Sequence, residues 1–175
     1  MDARRARGAR EEAGVTKFES SIDVDVPVRT AYDQWTQFEE FPRFMENVRE
    51  VRQLDDKRLL WRAEIGGRDL EWVAEITQQV PDERIGWRSV SGTENAGSVS
   101  FYPLGASRTR ITLRLDVEPE GAVESAAGKL GVIERRVAAD LERFKEFIEE
   151  RGRATGAWRG EIHGDRVVRG DRPGA

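Results

Sequence analysis

The chain has 175 residues, with 29 Lys and Arg against 33 Asp and Glu, a net charge of −4 and a pI near 5.3. That length provides for one domain with a sizeable core plus tails, and an acidic balance argues against a general nucleic-acid binder, which needs a basic surplus on its folded part. The absence of cysteine excludes disulfides, thiolate metal sites and a thiol nucleophile, and no apolar run approaches the length of a membrane span.

Residues 1–15 carry Arg4, Arg5, Arg7 and Arg10 without the apolar centre of a signal peptide. They read as a solvated, disordered arm, and with the missing span they imply a cytoplasmic protein without integral membrane association. The preference for Arg over Lys fits a GC-rich genome and requires no phosphate partner.

From Lys17 to Val26 the chain alternates, with Phe18, Ser20, Ile22, Val24 and Val26 on one side and Glu19, Asp23 and Asp25 on the other, as a half-buried strand does. Pro27 ends it and opens a short helix over Val28 to Trp35 with Val28, Ala31, Tyr32 and Trp35 on its apolar face. A second helical piece follows at Phe38 to Phe41. Pro42 disfavours the helical region for Phe41, so the stretch from Pro42 to Met45 is expected to be kinked away or separate. Asn47 to Asp55 reads as the second strand, closed by a turn at Asp55 and Asp56.

Gly66 and Gly67 separate two apolar-periodic runs and permit the two positive φ values of a type I′ turn. The turn pairs Ile65 with Arg68, Ala63 with Leu70, and Trp61 with Trp72, so that two tryptophans share a face with Leu59 and Ala74. The opposite face sets Arg62 against Glu71. Val80-Pro81-Asp82-Glu83 reads as a four-residue loop around a type I turn, which pairs Ile76 with Trp87, Glu75 with Arg88 and Ala74 with Ser89. Three large indoles separated by Ala63, Ala74 and Ser89 make a face that cannot fill its own gaps, so a helix or a ligand must lie over it.

Ala96 to Leu104, with Val99 and Phe101 on one face, and Arg108 to Val117, with Ile111, Leu113, Leu115 and Val117 alternating, complete a one-sided antiparallel sheet. From Gly121 to about Arg151 the period turns helical, through Leu130, Val137, Leu141, Phe144 and Ile148. The first half of this helix is low in bulk, with Gly121, Gly128, Gly131, Ala126 and Ala127; Gly152 stops it. The segment 153–175 is polar and is expected to pack weakly; it holds Trp158, which has no evident role, and the sole histidine, His163, which no rigid scaffold positions. The expected division is an arm at 1–15, a domain at 16–152 and a tail at 153–175.

The order of strand, two short helices, six more antiparallel strands and a long helix is that of an α+β helix-grip fold. The runs from Val26 to Trp35, Phe41 to Val48, Trp72 to Ile76 and Ile85 to Ser89 resemble the START-like (SRPBCC) superfamily, and within it the bacterial polyketide cyclase/dehydrase and coenzyme-Q-binding group. The resemblance spans about Lys17 to Arg151. It implies a curved seven-stranded sheet that wraps the long helix around a cavity, and a hydrophobic or amphipathic ligand such as a lipid, an isoprenoid quinone or an aromatic polyketide. Its specificity for activity is poor, because the superfamily mixes carriers, aromatases, stress proteins and co-chaperones.

The candidate ligand-binding residues are Trp61, Trp72, Trp87, Phe101 and Leu113 on the sheet, Leu130 on the helix, and Phe44 and Met45 at the mouth. For each of them ordinary core packing is the competing reading. An aromatase/cyclase would need groups that deprotonate a carbon and stabilise an enolate. Ser20, Ser89 and Tyr32 are the inward polar candidates, and none is a general base; Arg62, Glu71, Glu75, Arg88, Arg110 and Arg114 fall outside by parity. Neither a metal site nor a cofactor motif is present in the pattern of residues. A protein-interaction module that works through the sheet's outer face or the tails is the third reading.

Overall fold

The computed structural model describes residues 16–117 and 123–169. The elements in chain order are β1 (Thr16–Val24), α1 (Val28–Trp35), a 3-10 helix (Phe38–Arg43), β2 (Val48–Gln53), β3 (Arg58–Ile65), β4 (Arg68–Val80), β5 (Arg84–Gly92), β6 (Asn95–Gly105), β7 (Arg108–Val117), α2 (Val123–Arg151), β8 (Glu161–His163) and β9 (Arg166–Val168). The sheet is antiparallel in the order β1-β7-β6-β5-β4-β3-β2, and α2 runs along β1, where Lys145 Nζ donates to the Asp23 carbonyl. This is the helix-grip arrangement. The sheet has nine strands rather than seven, because β8 joins β4 and β9 joins β8.

The glycine turn sets the register as expected: Gly66 and Gly67 take φ of 61° and 77°, and Trp61 pairs with Trp72. The next connection differs in detail. Val80 pairs with Arg84, so the loop has the three residues Pro81, Asp82 and Glu83, with Asp82 at a φ of 64°. A bulge at Thr77 then offsets the shorter loop by one residue, which restores Ile76 opposite Trp87 and Glu75 opposite Arg88. Beyond the bulge the parity of β4 is reversed, and Gln79, opposite Ile85, points into the core with 1% exposure.

The stretch around Pro42 is one 3-10 helix rather than two pieces. Proline tolerates a short run of this kind because its missing N–H removes a single bond, and the backbone N–H groups of Phe44 and Met45 both close onto the Phe41 carbonyl at 3.1 and 2.8 Å.

The expectation that the segment after Gly152 packs weakly is corrected by the structure. Gly152 ends α2 at a φ of 67°, and the chain then folds back as a strap over one end of the sheet. Thr155 N–H donates to Gln34 Oε1 at 2.9 Å while Gln34 Nε2 donates to Thr155 Oγ1 at 3.1 Å. Trp158 N–H donates to Thr36 Oγ1, and Ile162 in β8 is 0% exposed. The physical reason lies in strand length. β3 pairs with β4 only as far as Arg58 opposite Glu75, with Ile76 N–H still bonded to the Lys57 carbonyl, which leaves the edge of residues 77–80 open, and β8 takes that edge at Gln78 and Gln79.

Candidate functional site

The concave face of the sheet has two unlike ends. At the α1 end aromatic rings fill it: Tyr32 meets Phe101 edge-on at 5.4 Å, Trp35 meets Phe144 at 5.0 Å, and Phe44 meets Phe144 at 5.2 Å. The second half of α2 closes over them through Leu141, Phe144 and Ile148, all buried. At the other end Trp61 and Trp72 stack with centroids 5.8 Å apart and planes 6° off parallel, and Phe41 abuts Trp61 edge-on.

Trp87 closes against Gly97, where an added Cβ would sit 2.7 Å from its ring and 2.9 Å from the Leu115 side chain. All three indoles are only half-buried, and so are Leu115 and Val137; Val132 on α2 is 38% exposed. The α1 end is therefore packed, whereas the tryptophan end keeps apolar surface on offer.

The expected site residues divide between these ends. Trp61 and Trp72 are brought together, with Trp87 further along the same face. Leu113 is buried beside Val99. Phe101 and Phe44 belong to the packed end, and Phe44, expected at the mouth, is 1% exposed because Phe41, Phe144 and Phe147 surround it. Met45 is half-buried against the same core. The side chain of Leu130 lies outside the described residues. Two surface depressions, of about 810 Å³ beside β1 and β7 and about 200 Å³ between β1 and α2, contain none of these eight.

The inward polar groups are scattered. Ser89 Oγ accepts from the Asn95 N–H at 3.0 Å and so ties the β5–β6 connection. Ser20 borders the smaller depression beside Ala138 and Leu141. Tyr32 is 0% exposed at the packed end, and burial pushes its hydroxyl far above the ordinary tyrosine value, partly offset by the neighbouring Gln79 amide and the Arg159 guanidinium. Arg159 lies over the Tyr32 ring at 5.6 Å and bridges Asp33 and Asp82 at 2.5 and 2.7 Å. Burial raises the Asp33 carboxyl above the usual carboxylate range, and Arg159 opposes the rise. Gln79 and Arg159 were not foreseeable from parity, because the Thr77 bulge turned one inward and the strap brought in the other.

The charged residues of the sheet face outward, where Arg62 pairs with Glu71 at 2.9 Å and Arg88 with Glu75 at 3.8 Å. Such exposed pairs contribute little to stability.

Residues 24–147 match the model of the family described as polyketide cyclase/dehydrase and lipid transport. The chain belongs to that polyketide cyclase/dehydrase family. It is 48% identical over 149 residues, 85% of this chain and 99% of the relative, to an uncharacterised 17.2 kDa protein from the melC2-rnhH intergenic region of Streptomyces lincolnensis. A solved protein of Deinococcus radiodurans is 31% identical, with a TM-score of 0.60 over 77% of this chain and 98% of the other. The Zhui aromatase/cyclase of Streptomyces sp. R1128 is similar in fold at 18% identity, with a TM-score of 0.67 over 82% and 99% of the two chains.

A START superfamily protein of Mycobacterium smegmatis has the same TM-score, 0.67, at 19% identity over 75% and 98% of the two chains. The strap of this polyketide cyclase/dehydrase family member follows the matched span. Among the described residues no helix is long and apolar enough to cross a membrane.

Proposed function

We propose that the chain binds a hydrophobic or amphipathic small molecule between the tryptophan end of the sheet and the first half of α2. The observation that carries this reading is the contrast along one face: the α1 end is filled by interlocked rings, while Trp61, Trp72 and Trp87 stay half-buried on the inward side. Apolar surface of this kind gains about 25 cal/mol per Å² on burial, before the costs of association. Family membership supports a lipid or an aromatic polyketide as the class of ligand, and the resemblance in sequence adds an isoprenoid quinone. The geometry favours binding over cyclisation, because Ser89 is engaged by Asn95 and Tyr32 is sealed in the packed end.

The test is tryptophan emission and thermal melting across a panel of lipids, quinones and polyaromatics, with native mass spectrometry of protein purified from its own host. Binding predicts an emission shift and a raised Tm that Trp72→Ala weakens. A melting temperature and emission spectrum indifferent to the whole panel would sink the reading.

A further inference from the structure

The flank of α2 that faces the segment after Phe44 carries Arg136, Asp140 and Arg143, at helical spacings of four and three. Arg143 is fully engaged there: it donates to Asp140 Oδ1 at 2.7 Å and to Glu46 Oε2 at 2.8 Å. Asp140 also accepts from the Glu46 backbone. One turn nearer the N-terminus of α2, Arg136 is bonded to no acid among the described residues. Its Nη1 is buried without a hydrogen-bond partner among the described residues, and it forms no ion pair among them. Its neighbour Arg135 behaves differently, since it is exposed and donates back to the Gly131 carbonyl.

The segment that follows Glu46 leads into β2, whose Val48 pairs with Ala63 and Val51 with Trp61. Helical spacing puts Arg136 on the same flank of α2 as Asp140 and Arg143, the side on which residue 46 leads into β2. Trp61 belongs to β3 and points inward, and its Nε1 is likewise buried without a partner. A buried donor atom with nothing to bond is costly, and more so when it belongs to a charged group. An indole N–H and a guanidinium are donors only, so a single anionic group set between them would satisfy both. Trp61 stacks on Trp72, so the apolar surface of the concave face adjoins its N–H.

We propose that the ligand of the concave face ends in a carboxylate, received by Arg136 Nη1 and Trp61 Nε1 while its apolar body lies along Trp72 and Trp87. This rests on the binding reading above and specifies the polar end of the ligand. The body is aliphatic or aromatic, and two matched pairs of probes separate these: palmitate with methyl palmitate, and anthracene-2-carboxylate with its methyl ester.

Affinities are measured by quenching of tryptophan emission on the full chain, with native mass spectrometry for stoichiometry. The acid of at least one pair should bind about tenfold or more tighter than its ester, as a charge-assisted bond at a buried site provides. Arg136→Met should abolish that preference by lowering acid affinity to that of the ester, and its Tm without ligand should not fall below wild type. Arg136→Lys should keep part of it, and Trp61→Phe should reduce it by a smaller factor.

Acid and ester binding alike, or an acid preference that survives Arg136→Met, overturns the carboxylate proposal and leaves the binding reading intact. If neither acid binds while a neutral lipid, quinone or polyaromatic of the panel does, the carboxylate proposal falls and the binding reading stands; if nothing in the panel binds, both fall.

Discussion

Replacing Ile162 with alanine tests whether the strap is an integral part of the fold. Ile162 is 0% exposed in β8, and its backbone pairs with Gln79 on the edge that β3 leaves open. Removing most of a fully buried isoleucine costs about 2–5 kcal/mol, depending on how far the site collapses. The strap is peripheral and can relax, which places the cost in the lower half, about 2–3 kcal/mol. For a domain of this size each 1 kcal/mol moves Tm by about 2–4 °C, so Ile162→Ala should melt roughly 4–12 °C below wild type.

The assay is a far-UV circular dichroism melt, with Val168→Ala as the control on the same hairpin, since Val168 is 43% exposed and should shift Tm hardly at all. The cost should also be cooperative, because Ile162 holds in place the contacts of Thr155, Trp158 and Arg159 to α1. Equal melting of Ile162→Ala and Val168→Ala would refute the docked strap.

The near-parallel stack of Trp61 and Trp72 predicts an exciton couplet in the far-ultraviolet dichroism that Trp72→Phe removes and Trp87→Phe leaves in place; retention in Trp72→Phe counts against the register. Gly97→Ala would put a Cβ 2.5 Å from the Arg114 carbonyl and 2.7 Å from the Trp87 ring. It should cost about 1–3 kcal/mol in a urea melt, and a change below about 0.5 kcal/mol would contradict the close approach.

Asp33 has a raised carboxyl, so in the window between its ordinary and raised values the folded state binds more protons than the unfolded state, and its contribution to stability falls as pH rises. The Tm of Asp33→Asn minus that of wild type should therefore increase from acid to neutral pH. A flat or falling difference would show that Arg159 outweighs burial.

The alternation of β1 and β7, the I′ turn and the switch to helical period in α2 were legible because each rests on local chemistry. Every expected pair across Gly66 and Gly67 is present. The pairing of β4 with β5 was legible for a less direct reason: a loop one residue shorter than expected and a bulge at Thr77 cancel in the register, so Ile76 meets Trp87 as four loop residues would have it. Neither feature has a sequence signal, because Thr at a bulge and Asp at positive φ each resemble many ordinary positions. The split of the aromatic residues into a packed end and an open end was not legible either, since it depends on where α1 and α2 cross the sheet. The same holds for Arg136, which looks like one more solvated helix arginine until its neighbours are in place.

The bulge and the strap belong together. Without the bulge Gln79 would face outward on β4; with it, a primary amide enters the core beside the Tyr32 hydroxyl, at the end where the open edge of β4 begins. An apolar cover there would leave the Gln34 side chain on α1 without a partner and take from Asp33 its closest cation. The strap supplies polar partners: the Thr155 hydroxyl and N–H for Gln34, the Trp158 N–H for Thr36, and the Arg159 guanidinium for Asp33 and Asp82.

A segment rich in Gly, Arg and Asp reads as weakly packed because it cannot build a core of its own. Here it needs only to place one isoleucine, one half-buried tryptophan and one arginine on a surface whose polar groups are already arranged, and its glycines allow the tight return: Gly164, at a φ of 60°, donates its N–H to the Thr77 carbonyl, on the bulge itself. The strap therefore closes the packed end of the grip, and the apolar surface that remains available lies at the tryptophan end.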